Sequence, residues 1–220
     1  MTPLIILGTG GSAYDVLDII DAINATTPTW ELLGFLDDAR AVGSQFQEWP
    51  VLGKLVDASK FKGGQFINVI GSDQSFHKRP SILASTGLSI GDFATIVHPG
   101  AGVSRRASLG RGTYINFGVS VAGAVDIGNH VALGPSCVVG HDCRIGDFSL
   151  VAPGATLSGH VQVGCCAYIG SRSVVKQRLR IGDEALVGMG AVVTRDVPSG
   201  AIVKGNPARQ HTSFAASTVP

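Results

Sequence analysis

From Val97 to Val193 an aliphatic side chain recurs at every sixth residue without a break: Val97, Val103, Leu109, Ile115, Val121, Ile127, Leu133, Val139, Ile145, Val151, Leu157, Val163, Ile169, Val175, Ile181, Val187 and Val193. Neither a helical period of 3.6 nor a strand period of 2 produces this spacing. A triangular coil does. Each hexapeptide is a short strand plus a corner, and three make a coil of about eighteen residues. The aliphatic side chain points inward and stacks on its equivalent one coil later. Four residues further on, a small side chain also faces the interior, as at Ala101, Thr113, Cys137, Cys143, Ser149, Ala155 and Ala167. Gly often follows the aliphatic position, as at Gly110, Gly128, Gly146, Gly164 and Gly182, where it is expected to ease the backbone round a corner. The repeat predicts a parallel β-helix of between five and six coils.

The first ninety-five residues follow a different pattern. Leu4 to Leu7 is a continuous apolar run that reads as a buried strand. It enters Gly8-Thr9-Gly10-Gly11-Ser12-Ala13, and apolar residues at helical spacing follow from Tyr14 to Ile23. Further strands are predicted at Leu32–Leu36, ending in Asp37-Asp38, and at Phe66–Ile70, ending in Gly71-Ser72-Asp73. A helix is predicted at about 74–86. Strands alternating with helices make a small parallel sheet. The chain therefore divides into an α/β, Rossmann-like domain at 1–95 and a β-helix domain with a C-terminal tail at 96–220.

Gly8, Gly10 and Ala13 fit G-x-G-x-x-A, in which a tight turn brings helix amides towards a phosphate. Asp37 or Asp38 is placed to hold a ribose hydroxyl. The unit is about half of a full dinucleotide fold, so the preferred ligand is a nucleotide diphosphate carried by the substrate. Gly8, Gly10, Gly11, Ser12, Asp37, Asp38, Gly71 and Ser72 are the candidate substrate-binding residues.

Composition narrows the function classes. The net charge of +1 and the lack of a basic block give no nucleic-acid footprint. No apolar run approaches about 18 residues, so no membrane span is expected. Leu4–Leu7 is too short for a secretory signal, which points to the cytoplasm. The four Cys, at 137, 143, 165 and 166, lack zinc-type spacing and are expected as reduced thiols.

Six histidines could supply a base. His141 stands two after Val139 and so points outward near a corner, with Asp142 next to it. His130 and His160 stand three after their aliphatic positions and are expected on the surface. His98 begins the first coil and reads as structural. No nucleophile suited to a covalent acyl-enzyme stands out, which favours direct attack in a ternary complex.

At this point the sequence resembles the bacterial nucleotide-sugar acetyltransferases of the sialic acid O-acetyltransferase/bacillosamine N-acetyltransferase type. The resemblance covers nearly the whole chain. It rests on Gly8-Thr9-Gly10-Gly11-Ser12, Phe35-Leu36-Asp37-Asp38 and Ile70-Gly71-Ser72. It rests further on Gly140-His141-Asp142-Cys143-Arg144-Ile145-Gly146-Asp147-Phe148, Pro153-Gly154-Ala155-Thr156-Leu157-Ser158-Gly159 and Gly205-Asn206-Pro207-Ala208.

The resemblance implies a left-handed coil, a homotrimer, and acetyl-CoA held between neighbouring β-helices. It implies that His141 and Asp142 are the catalytic pair, the acid orienting the imidazole. Gly170, Ser171 and Gly188 would meet the pantetheine, Lys204, Asn206 and Pro207 the phosphates and adenine, and His160 the thioester. Ser12 departs from the histidine that many relatives carry in this loop. The implied acceptor is the 4-amino group of a nucleotide-linked 4-amino-4,6-dideoxy sugar, GDP-perosamine being favoured over a UDP-amino sugar. The alternatives are O-acetylation of a sugar or sialic acid, and a non-catalytic nucleotide-binding scaffold. The gaps between His130, His141 and His160 do not match the close histidine pair of zinc-binding β-helix enzymes, so no metal is expected.

Overall fold

The computed structural model describes residues 1–61 and 63–211. The apolar run at the start forms β1 (Thr2–Leu7), and the glycine loop leads into α1 (Gly11–Thr26). Next come β2 (Trp30–Leu36), the edge hairpin β3 (Gln45–Phe46) and β4 (Trp49–Gly53), and β5 (Gln65–Asn68). The sheet order is β3-β4-β2-β1-β5, parallel except for the β3–β4 hairpin, which the sequence reading did not anticipate. The helix expected at about 74–86 is two pieces, a 3-10 turn at Phe76–Lys78 and α2 (Arg79–Ala84) with Pro80 in its first turn.

Strands of the coil begin at Ile96–Val97 and recur every six residues to Val192–Val193. They stack into three parallel sheets, one for each face of a left-handed prism. Register is strict: Val121 pairs with Val103 and Val139, eighteen residues to either side. The spacing shortens only at the end, where Val187 pairs with Val203. The strand Ile202–Lys204 therefore extends the stack past the last regular repeat, and Arg209–His211 folds back on it antiparallel. The aliphatic and small positions fill one continuous interior from Ile115 to Val203.

Two glycine classes separate in the coil. Corner residues with positive φ stand three after the aliphatic position and are mostly not glycine: His130 (55°), Asp142 (57°) and His160 (61°) are examples. The glycines directly after the aliphatic position have a different reason to be glycine. A Cβ at Gly146 would lie 2.5 Å from the backbone carbon of Gly164 in the next coil, so these glycines permit close stacking rather than an unusual φ.

The residue before each aliphatic position points outward, and its chemistry differs by face. One face carries Ile96, Tyr114, Ala132, Leu150, Tyr168 and Leu186. These pack against Leu4, Ile6, Val16 and Ile20, so the sheet domain and the coil share one core. A second face carries Ser120, Val138, Thr156, Val174 and Val192, and Val138 and Val174 are exposed. The third carries Ser108, Asp126, Arg144, Gln162 and Arg180 and is a polar surface.

Arg79 joins the two parts covalently distant in sequence. It is buried, and its Nε donates to the Ile70 carbonyl at 3.0 Å while Nη1 donates to the Phe148 carbonyl. Beside it sits His130, which overturns the surface reading. Its ring stacks on Phe148 at 4.8 Å, meets Phe93 edge-on at 4.5 Å, and is 4% exposed. It does point out of the coil, but the connector around Phe93 covers it.

Burial, with the Arg79 charge adding to it, lowers the His130 pKa to about 4. A histidine that is neutral when folded and ordinary when unfolded stabilises fully above about pH 6.5. That contribution is lost as pH falls from 6.5 towards 4 and amounts to about 3 kcal/mol at most. His130→Phe keeps the aromatic stack and should flatten this part of the profile. The check is the difference in Tm between wild type and variant from pH 7.0 to 4.5. Parallel curves would refute it.

All four cysteines are free, with Cys165 exposed and Cys137, Cys143 and Cys166 buried. Among the described residues no helix is long and apolar enough to cross a membrane.

Candidate active site

The glycine loop ends one cavity of about 400 Å³, and all eight candidate substrate residues line it: Gly8, Gly10, Gly11, Ser12, Asp37, Asp38, Gly71 and Ser72. Gly8 is forced, since at φ 99° its Cβ would also lie 2.6 Å from Ile70. Gly10 and Gly11 have no neighbour within 4 Å of where a Cβ would be, which leaves room for a ligand to approach the backbone. The first turn of α1 has no side-chain cap and no acidic residue, so the Gly11 and Ser12 amides remain available to an anion, while the Ala13 amide donates to the Gly10 carbonyl.

Asp37 braces the loop. Its Oδ2 accepts from the Thr9 amide at 2.8 Å and the Thr9 hydroxyl at 2.6 Å, and Oδ1 accepts from the Ala39 amide. Partial burial works against its charge, but these hydrogen bonds outweigh it and hold the pKa below the usual value. Asp38 accepts from the Leu55 amide at 2.9 Å. Asp38 keeps free lone pairs for a ribose, whereas Asp37 is taken up by the Thr9 hydroxyl and the Thr9, Ala39 and Arg40 amides. Arg40, which the sequence reading passed over, donates from Nε to the Thr9 hydroxyl at 2.9 Å.

Ser12, Gly71 and Ser72 also line a second, smaller pocket that runs onto the coil between Asp15, Tyr114, Asn116, Leu150 and Tyr168. It reaches Gly134 and Pro153, at the corner between the docked face and the second face. The same corner, higher in the stack, carries Gly170, Ser171 and Gly188, with Lys204 against Gly188. Asn206 and Pro207 follow in the closing hairpin. Six of the seven candidate cofactor residues thus share one edge.

His160 does not. It lies on the opposite edge of the second face, beside His141 and Asp142. One coil is eighteen residues, so position 160 falls one residue past the point directly above 141. His141 Nδ1 lies 2.7 Å from Asp142 Oδ2, and His160 Nε2 lies 3.9 Å from the same oxygen. The two rings meet edge-on at 5.0 Å. The His160 amide donates to the His141 carbonyl at 2.8 Å. A Cβ on Gly159 would fall 2.7 Å from His141 Nε2, so the ring lies over a position that must be bare. The His141 hydrogen bond lowers the Asp142 pKa. A charged Asp142 can only accept, so His141 presents Nδ1–H to it and keeps the Nε2 lone pair free. None of these three residues lines the nucleotide cavity of its own chain.

Residues 3–75 match the family described as the PglD N-terminal domain, and residues 124–159 match the bacterial transferase hexapeptide (six repeats). Comparison with curated proteins yields no match. Among solved structures the chain is similar to the acetyltransferase domain of PglB from Neisseria gonorrhoeae FA1090, at 27% identity and TM-score 0.82 over 96% of this chain and 100% of that one. It is similar to PerB from Caulobacter crescentus, solved with CoA and GDP-perosamine, at 28% identity and TM-score 0.80 over 96% and 98%. It is also similar to WeeI from Acinetobacter baumannii AYE, at 29% identity and TM-score 0.81 over 96% and 100%. A PglD-type N-terminal domain and transferase hexapeptides thus stand on one chain that these structures match end to end, consistent with an acetyl-CoA-dependent acetyltransferase of the sialic acid O-acetyltransferase/bacillosamine N-acetyltransferase type.

Proposed function

We propose that the protein transfers acetyl from acetyl-CoA to the 4-amino group of a nucleotide-linked 4-amino-4,6-dideoxy sugar, with GDP-perosamine as the favoured acceptor. The observation that carries this reading is the His141–Asp142 pair at a coil edge, on a chain whose other domain offers a phosphate-binding cavity. The likeness to PerB supports the choice of acceptor.

In this reading the nucleotide diphosphate lies on the amides of α1, and the sugar extends past Ser12 and Ser72 into the second pocket. The apolar wall of Ala132 and Leu150 suits a 6-deoxy carbon, and Asp15 and Asn116 suit sugar hydroxyls. The amine attacks the thioester carbonyl. The C–N bond forms, the tetrahedral intermediate collapses, and the C–S bond breaks. His141 Nε2 takes the proton from the nitrogen and returns it to the departing thiolate, while Asp142 holds the ring and its transient charge.

The separation of His141 from its own cavity is resolved by a homotrimer. When the second face of each copy turns towards a three-fold axis, the His141 edge of one copy meets the edge of the next that carries Gly134, Pro153, Gly170 and Ser171. Acetyl-CoA then lies along the seam, with Lys204 near its phosphates. The half-apolar second face supports this packing. The compartment is the cytoplasm, where acetyl-CoA and nucleotide sugars are made.

The test is thiol release from acetyl-CoA with GDP-perosamine, a UDP-linked 4-amino-4,6-dideoxy sugar, or free sialic acid as acceptor. Release with GDP-perosamine is expected. Release only with the UDP sugar would change the nucleotide, and release only with sialic acid would move the reaction to oxygen. No release with any would overturn the reading.

A further inference from the structure

His141, Asp142 and His160 bring three metal-ligating side chains of two types to one exposed point on two neighbouring coils, with their donor atoms within 4.8 Å of one another. Zinc takes nitrogen and carboxylate ligands at about 2.0–2.2 Å, which places tetrahedral donors about 3.4 Å apart. The present separations from Asp142 Oδ2 are 2.7 Å to His141 and 3.9 Å to His160, on either side of that value. Closing the set means easing His141 and Asp142 apart and drawing His160 in. All three side chains are exposed, so they can make those shifts and leave a fourth position open to water. The histidine gap of nineteen residues gives no metal signature in the sequence, but one coil turns it into adjacency.

We propose that His141, Asp142 and His160 form a two-histidine, one-carboxylate seat for Zn²⁺, in which the metal replaces the proton between His141 and Asp142, and that an occupied seat silences acetyl transfer. As the metal takes Nδ1 of His141, the single proton of the neutral ring passes by way of solvent from Nδ1 to Nε2, and no redox step is involved. Metal binding follows from the geometry alone. The silencing rests on the role given to His141 above, because an imidazole that binds a metal through Nδ1 carries its proton on Nε2 and has no lone pair left there to act as the base.

The experiment uses the full chain carrying Cys165→Ser, which removes the one exposed thiol, and titrates Zn²⁺ by calorimetry. One ion per chain is expected. His160→Ala in the same background should weaken binding by about tenfold or more, as loss of one of three ligands requires. Acetyl transfer by the parent should fall over the same concentration range and return with a chelator. No binding tighter than about 1 mM, or equal binding by His160→Ala, would overturn the seat. Binding that depends on His160 without any loss of transfer would uphold the seat and overturn the base role of His141.

Discussion

His141→Ala is expected to lower kcat by about 10²–10⁴ with little change in KM for acetyl-CoA, the range typical for loss of a general base. The prediction depends on the acceptor. A hydroxyl cannot attack a thioester at a useful rate while it keeps its proton, whereas an amine that arrives neutral can. With the amino sugar the loss should therefore fall in the lower part of the range, and raising the pH should recover part of the rate. Gly159→Ala provides an independent check. It leaves both members of the pair intact, yet its methyl would sit 2.7 Å from His141 Nε2 and push the ring off its seat. Gly159 has an ordinary φ, so the backbone accepts alanine and the expected effect is on kcat rather than on folding. Asp142→Asn should fall between the two. It keeps a hydrogen bond but presents an amide that can stabilise the wrong tautomer. Steady-state kinetics on the three variants, each checked for a wild-type melting temperature, decides the matter. Full activity in His141→Ala would remove the base from the mechanism and leave proximity alone to account for the rate.

How much of this was legible in the sequence follows from the range over which each feature is encoded. The coil was readable because its period is local and strict. Each Val, Ile or Leu declares its own inward position, and eighteen residues of register fix the next one. The meeting of the eight candidate substrate residues around one cavity was also readable, since they come from three strand ends that a parallel sheet brings together at one edge. What failed depended on partners remote in sequence. His130 looked like a surface histidine because the outward rule is correct for the coil, while the cover over its ring comes from Phe93, more than thirty residues earlier. Arg79 gave no signal at all, as its two acceptors are backbone carbonyls at Ile70 and Phe148. His160, which the resemblance sets near the thioester, also stands beside His141, and that neighbourhood shows only through the eighteen-residue turn. The β3–β4 hairpin was missed because Gln45–Phe46 and Trp49–Gly53 are too short for a period to show.

Val138→Asp combined with Val174→Asp is expected to convert the proposed trimer to monomers and abolish acetyl transfer without unfolding the chain. Both side chains lie on the second face and are 43% and 41% exposed in the single chain. Exposed substitutions of this kind cost an isolated chain about 0.5 kcal/mol or less each. Around a three-fold axis the same change places six carboxylates in one seam. Each would lose solvent on a face whose outward strand positions, Gly102, Ser120, Val138, Thr156, Val174 and Val192, carry no charge. An unpaired buried charge costs several kcal/mol even after relaxation, so the summed penalty exceeds what a half-apolar interface can offset. Activity should vanish with assembly, because the His141 edge and the Gly170–Ser171 edge of a single chain lie on opposite sides of that face. Sedimentation, far-UV circular dichroism and thiol release, measured on the same preparation, separate the outcomes. Monomers with native dichroism and no turnover are expected. Monomers that still turn over would place the complete site within one chain. A persisting trimer would put the interface on the polar face carrying Asp126, Arg144 and Arg180 instead.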